Sequence, residues 1–282
     1  MEIFTIVLAS LLSIFSSVGV ITDGIIQRTL QERLNKVEQL AVRLDNPPSH
    51  QLLLEGRIDR LRMAGRGVYP IPNLRVALLE VETDPIDIDL STLKQGIPRF
   101  DQPLQAGIRL ILEQKDLSQF LESPVVLALI REVARDALGG LSNQLDQYNI
   151  TKPDLIFLQG DRIRFNLNLQ SKRSPNETFI LSAETGLSVV NGHQINLVEP
   201  QFELNGQRIP AFIVNGFLAG VSDELNLKRL ESSGVLARVL KLQITPSQLE
   251  LALFLRVDPQ SPLLTRRMGL KPRPSRTAFF AP

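Results

Sequence analysis

The stretch "GRIDRLRMAGRGVYP", residues 56–70, and its continuation "IPNLRVALLEVETDPIDIDL", residues 71–90, decide how this chain folds. In an extended strand successive side chains point to opposite faces. Arg60, Arg62 and Arg66 therefore share one face, and Leu61 and Met63 share the other. The continuation alternates as well, with Ala77, Leu79 and Val81 on one side and Glu80 and Glu82 on the other. Between the halves lies "YPIPN", a cluster of turn-forming residues. The whole reads as a long antiparallel hairpin. Turned about Ile71, it sets Arg62 opposite Glu80 and Arg60 opposite Glu82, with Leu61 opposite Val81 and Met63 opposite Leu79. Charge and apolarity agree on this register, so the arginine stripe is mainly a wet outer face. Arg57 and Arg66 are less accounted for by that pairing and remain the candidates for gripping an anionic head group.

The opposite face matters more. Leu61, Met63, Leu79 and Val81 give one apolar strip, and Ile163, Phe165, Leu167 and Leu169 in "RIRFNLNLQ" give another. Leu249, Leu251, Leu253 and Leu255, in the last hairpin "ARVLKLQITPSQLELALFLRV", give a third. Strips of this length need an apolar cover. Helices read at 25–37, 124–138 and 210–230 supply one, and a plain packed core is the bland outcome. The other outcome is a slot for acyl chains, since ligand sites are apolar concavities with few polar groups. The pattern leaves both open.

The remaining elements follow from local signals. Ile26, Leu30, Leu34 and Val37 recur at helical spacing after Gly24. Residues 37–45 alternate and stop at "NPPS", and "QAGIRLILE" is a further strand. Asp116 with Gln119 resembles a capping box. Ser123 caps a helix that has Pro124 at its first position and ends at Gly139-Gly140. "SPNE", "ETG", "NGH" and "NG" read as turns between short strands, and "PAFIVNGFLAGVSDELNLKRL" as a helix with a break near Gly220. The chain is read as α+β, with one elongated domain over residues 24–258.

Composition removes several function classes. The 282 residues include no Cys, which excludes disulfides, thiol catalysis and Cys-ligated metals. His50 and His193, the only histidines, lie in turn sequences and read as solvated loop residues. No HExxH, GxSxG, GxxxxGK[ST] or GxGxxG motif occurs, so no residue is assigned a catalytic role and no cofactor is expected. Asp84, Asp87 and Asp89 do not meet the EF-hand pattern and read as surface, so no metal is expected. The net charge of +1 combines a +5 tail, residues 259–282, with a body of −4. A body of that sign is not built to neutralise phosphates, which argues against nucleic acid as a partner.

Residues 3–21, "IFTIVLASLLSIFSSVGVI", carry no charge and as a helix would rise roughly 28 Å. Residues 1–23 read as an uncleaved membrane helix or interfacial anchor, with a signal peptide and a buried core helix as the alternatives. The tail is Pro-rich and basic and reads as disordered.

The hairpin then brings in a resemblance. An apolar run before Gly56-Arg57-Ile58-Asp59, the arginine-bearing strand, "GRGVYPIP" and "ETDPIDIDL" resemble the bacterial envelope family called LmeA-like, in particular its cyanobacterial branch. "LEQKDLSQFLESP", residues 112–124, resembles that family's short helix after the second strand group. The family is typified by a mycobacterial factor needed for lipomannan elongation or maintenance. The resemblance implies a tubular lipid-binding type of fold, in which a long curved antiparallel sheet wraps one or more helices around an apolar groove for phospholipid. It also implies association with a membrane of the cell envelope. On the periplasmic or cytoplasmic side, the chain is then expected to hold acyl chains against Leu61, Met63, Leu79, Val81, Ile163, Phe165, Leu167, Leu251 and Leu253. Two alternatives stand beside it: an anchored, non-enzymatic interaction protein with a dry core, and an accessory factor in envelope glycolipid synthesis.

Overall fold

The computed structural model describes residues 36–45, 56–89, 91, 100–138, 146–174 and 176–265. The leader, most of the first expected helix, His50 and the basic residues from Arg266 onward lie outside the described residues. The chain is mostly antiparallel β-structure with a few helices, and the expected long sheet is present as two.

The first sheet has six strands in the order β1-β3-β4-β6-β13-β12. These are β1 (Lys36–Asp45), β3 (Arg60–Ile71), β4 (Leu74–Thr83), β6 (Leu104–Glu113), β12 (Val235–Ile244) and β13 (Gln248–Val257). Val37, read both as the last residue of the first helix and as the start of the strand over 37–45, is a strand residue of β1. The short β2 (Arg57–Ile58) pairs with β5 (Ile86–Asp87) beside this sheet. The second sheet runs β11-β10-β9-β8-β7. Its members are β7 (Tyr148–Leu158), β8 (Arg162–Ser171), β9 (Thr178–Val190), β10 (Gln194–Leu204) and β11 (Gln207–Arg208).

The decisive hairpin forms, with its register displaced by two residues from the one expected. Met63 faces Val81 and Arg62 faces Glu82, because the chain turns at Pro72-Asn73 rather than at Ile71. Asn73 takes φ 67°, a left-handed conformation that Asn tolerates better than most residues. A shift of two preserves every face but changes the ion pairs. Arg60 keeps Glu82 at 3.1 Å, while Arg62 binds Asp45 of β1 and Glu80 binds Arg109 of β6 at 2.9 Å.

Gly67 lies inside β3 with φ 57°, just before the register shift between Val68 and Ile71. A Cβ there would run into the carboxyl group of Glu38, whose oxygens accept from Arg75 Nε and Nη2, both at 3.0 Å. The glycine thus leaves room for Glu38 to lie across β3 and reach Arg75.

Helix α1 (Gln114–Leu121) follows β6 directly and joins the two sheets. Gln114 Oε1 accepts from the Phe157 amide at 2.8 Å, and Ser118 Oγ donates to the Leu155 carbonyl at 3.1 Å. Side chains of α1 thereby take up polar groups along β7, the terminal strand of its sheet. Asp116 is not the expected cap. It is buried in the first turn, where its carboxylate accepts from Arg75 Nη1 at 2.7 Å, and the N-cap Glu113 makes no side-chain capping bond. Helix α2 (Pro124–Leu138) starts as expected, with Ser123 Oγ accepting from the Val126 amide at 3.4 Å. Leu74, Phe120 and Val126 pack these helices on the hairpin tip.

Helix α3 (Ala211–Glu224) runs through Gly220 unbroken. The chain changes direction at Leu225-Asn226 and continues as a 3-10 turn over Leu227–Ser233. A last short helix, α4 (Pro262–Thr265), closes against the core through Leu263. "ETG" is not a turn either, since Glu184, Thr185 and Gly186 lie within β9.

Candidate functional site

The pairings define rungs across the first sheet. Leu44, Leu61, Thr83, Ala106, Leu255 and Ala237 stand in one inward-facing row. Val42, Met63, Val81, Ile108, Leu253 and Val239 form the next. Leu40, Gly65, Leu79, Leu110, Leu251 and Leu242 form a third.

Burial is not uniform over this grid. Leu61 and Leu79 are 0% exposed, and Met63, Val81, Leu253 and Leu255 are buried with them. Toward β6, β13 and β12 the third row opens. Leu110, Leu251 and Leu242 are only half-buried, as are Leu112 and Leu249 one step further on.

The second sheet continues this open apolar surface. Leu155, Phe165, Ala183 and Phe202 stand in register across β7 to β10, beside Phe157 and Ile163, and beside Leu167, Leu181 and Leu204. Phe157 and Leu167 are buried in this set, while Leu155, Ile163, Phe165, Leu181 and Phe202 keep part of their surface exposed. The two sheets meet where β9 approaches β12. Val239 donates its amide to the Gly192 carbonyl at 2.6 Å, and the Ile244 amide donates to Asp161 Oδ1 at 2.7 Å. A cleft of about 400 Å³ lies at this junction, lined by Leu187, Val189, Val239, Leu240 and Leu242, with Asp161 and Lys241 also among its lining residues. That volume falls within the range of small-molecule sites.

The reverse faces carry the charge. On β8 and β9, Glu184 accepts from Arg164 Nη2 at 2.7 Å and from Arg162 Nε at 3.0 Å. Those guanidiniums, Arg164 first, hold its carboxyl below the usual value. On the first sheet, Lys241 and Arg109 do the same for Glu250, each at 2.7 Å. These are fixed ion-pair ladders on a wetted surface, and they keep charge off the apolar faces.

The nine apolar residues selected from the sequence therefore fall in two groups. Leu61, Met63, Leu79, Val81, Leu253 and Leu167 are in packed interior. Ile163, Phe165 and Leu251 are half-buried on the open surface. Leu110, Leu112, Leu242, Leu155 and Phe202 join that open group without having been selected. Arg57 lies 3.4 Å from Asp59 and opposite Asp87, and Arg66 is exposed between Gln39 and Leu78. Neither stands on the open apolar surface. His193 sits in the turn before β10 with Nδ1 2.9 Å from the Asn191 carbonyl.

A second cleft, about 740 Å³, is lined by carboxylates and hydroxyls, among them Asp89, Asp101, Asp258, Ser232 and Ser261, and shares no lining residue with the junction cleft. Among the described residues no group of His, Asp or Glu is placed to hold a metal ion. Among them too, no helix is long and apolar enough to cross a membrane.

Fold and site together define an antiparallel β-protein with helices, in which part of the apolar sheet surface stays open. A family model described as LmeA-like phospholipid-binding matches residues 19–254, and the chain belongs to that family. No curated protein and no solved structure matches the chain.

Proposed function

We propose that the protein binds phospholipid by laying acyl chains along the open apolar surface shared by the two sheets. The observation that carries this reading is the graded exposure of one continuous apolar face. Its rungs are dry at Leu61 and Leu79 and half-exposed at Leu110, Leu251, Leu242, Ile163 and Phe165. A face that stays half-exposed across two sheets has apolar area left to bury, and an acyl chain is the ligand that asks nothing else of it. Burial of a methylene contributes roughly 0.8 kcal/mol. Ten methylenes buried to half their surface would supply about 4 kcal/mol without a single polar contact.

Membership in a phospholipid-binding family supports the same reading. The sheets would then curve about the ligand in the tubular manner, with α2 and α3 as the cover and a membrane of the cell envelope as the source of lipid. Incubation of the full chain with vesicles holding a fluorescent phospholipid, followed by separation of protein from vesicles, tests the proposal. Label is expected to travel with the protein. A protein that remains folded and takes up none contradicts it.

A further inference from the structure

We propose that α3 enters a lipid bilayer and thereby sets the open apolar surface against the membrane. The inference rests on the lipid-binding reading above and adds to it the surface that docks and the partner it meets.

From Ala211 to Val221, "AFIVNGFLAGV", α3 carries no charged residue. Asn215 is the one polar side chain in that run, and a helix with so little polar surface belongs in an apolar medium. The protein supplies only part of one. Val214, Leu218 and Val221, spaced by four and three, form a half-buried stripe, and α3 touches α2 and β10. Gly220 faces away from that stripe: it is exposed, and a Cβ built on it meets no heavy atom within 4 Å.

The surroundings fit a membrane surface. Ile180 is 51% exposed and Leu204 is exposed too, at the sheet end from which the chain passes through β11 into α3. Arg208 precedes the helix and is exposed, and Asp223 and Glu224 follow the apolar run, with Glu224 held by Arg229 at 2.8 Å. The eleven uncharged residues span about 16 Å of helix, roughly one leaflet of a 30 Å hydrocarbon layer. A second copy or residues 1–35 of the same chain would have to match one face of the helix and supply polar partners at its rim. A bilayer solvates every apolar side of the helix at once, which is what the composition of α3 asks for.

The chain contains no Trp, so one substitution creates a single fluorophore. Gly220→Trp and Phe217→Trp place it on α3, and Val198→Trp places it on the charged reverse face of the second sheet, in the rung of Arg162, as a control. On addition of phosphatidylcholine vesicles, both α3 probes are expected to shift their emission to the blue. Both are expected to be quenched when the acyl chains are brominated, and the control is expected to respond to neither. α3 probes that ignore the vesicles overturn the proposal. So do probes already blue-shifted in buffer and insensitive to brominated lipid, which would mean that residues 1–35 or a second copy covers the helix. Phospholipid uptake measured on the same samples separates the two readings. Uptake with silent α3 probes removes the docking role alone, and quenched probes without uptake remove the lipid-binding site alone. Far-ultraviolet circular dichroism confirms that each variant is folded.

Discussion

Replacing Phe165 with Glu should separate lipid binding from folding. Phe165 stands between Leu155 and Ala183 in the second sheet and keeps part of its surface in water. A carboxylate at that position stays hydrated in the empty protein, so Phe165→Glu should remain folded. Once an acyl chain covers the surface, that hydration is lost. An unpartnered polar group in apolar surroundings costs roughly 2–7 kcal/mol. At the lower end, because the site stays partly open, about 2 kcal/mol corresponds to roughly thirtyfold weaker binding. Leu251→Glu should behave alike, since Leu251 shares the open part of its rung with Leu110 and Leu242. Leu79→Glu is the contrast: its side chain is 0% exposed, so the charge meets no water in the folded state and the protein should fail to fold. The assay is uptake of fluorescent phospholipid from vesicles, with circular dichroism on each variant. Phe165→Glu that is folded and takes up lipid within a factor of three of the parent refutes the assignment of this surface.

Three further outcomes follow from the ion pairs and glycines. Asp116→Ala removes the acceptor 2.7 Å from Arg75 and should lower unfolding free energy by about 2 kcal/mol, the scale of a hydrogen bond to a charged group; an unchanged urea midpoint would argue against the clamp. Gly67→Ala should destabilise by at least about 1 kcal/mol more than Gly160→Ala. Both positions have positive φ, but only at Gly67 does the new methyl meet a side chain, that of Glu38, and equal thermal shifts would contradict this. Glu38, Glu184 and Glu250 are each held below their ordinary value of 4.5, by Arg75, by Arg164 and by Lys241 respectively as the leading cause. A depressed folded-state value means that their contribution is complete above pH 4.5 and disappears as pH falls through the lowered values. Denaturation midpoints should therefore be flat with respect to these groups from pH 7 to about pH 5 and drop below that, and Glu250→Gln should drop less steeply; a slope that the substitution leaves unaltered would count against the ladder.

Much of the fold was legible because period-two alternation survives small errors. The register expected from the sequence gives the central hairpin the wrong partners, yet a shift of two residues leaves Arg60 and Arg62 outside and Leu61 and Met63 inside. Glycine misled in two places. Gly186 reads as a turn but sits within β9 opposite Val198, where a Cβ would lie 3.2 Å from the Val198 side chain, so it marks close strand approach at the β10 bulge. Gly220 reads as a helix break, but α3 continues through it: an interior glycine weakens a helix by about 1 kcal/mol relative to Ala, which is not enough to end it.

Part of the proposed binding surface was hidden for the same kind of reason. Bulges near Lys152, Glu199 and Leu240 change the parity of β7, β10 and β12, so Leu155, Phe202 and Leu242 do not follow from counting along the sequence. Alternation tells which side chains share a face. It does not tell which end of that face is covered, and so Leu61 and Leu251 looked equivalent until the rungs placed one in the interior and the other at the opening.

Native mass spectrometry of the full chain purified from membranes tests the lipid site most directly. The account predicts a population heavier than the bare chain by the mass of a phospholipid, strongly reduced in Phe165→Glu. Bare protein throughout, or an equally loaded Phe165→Glu, would contradict it.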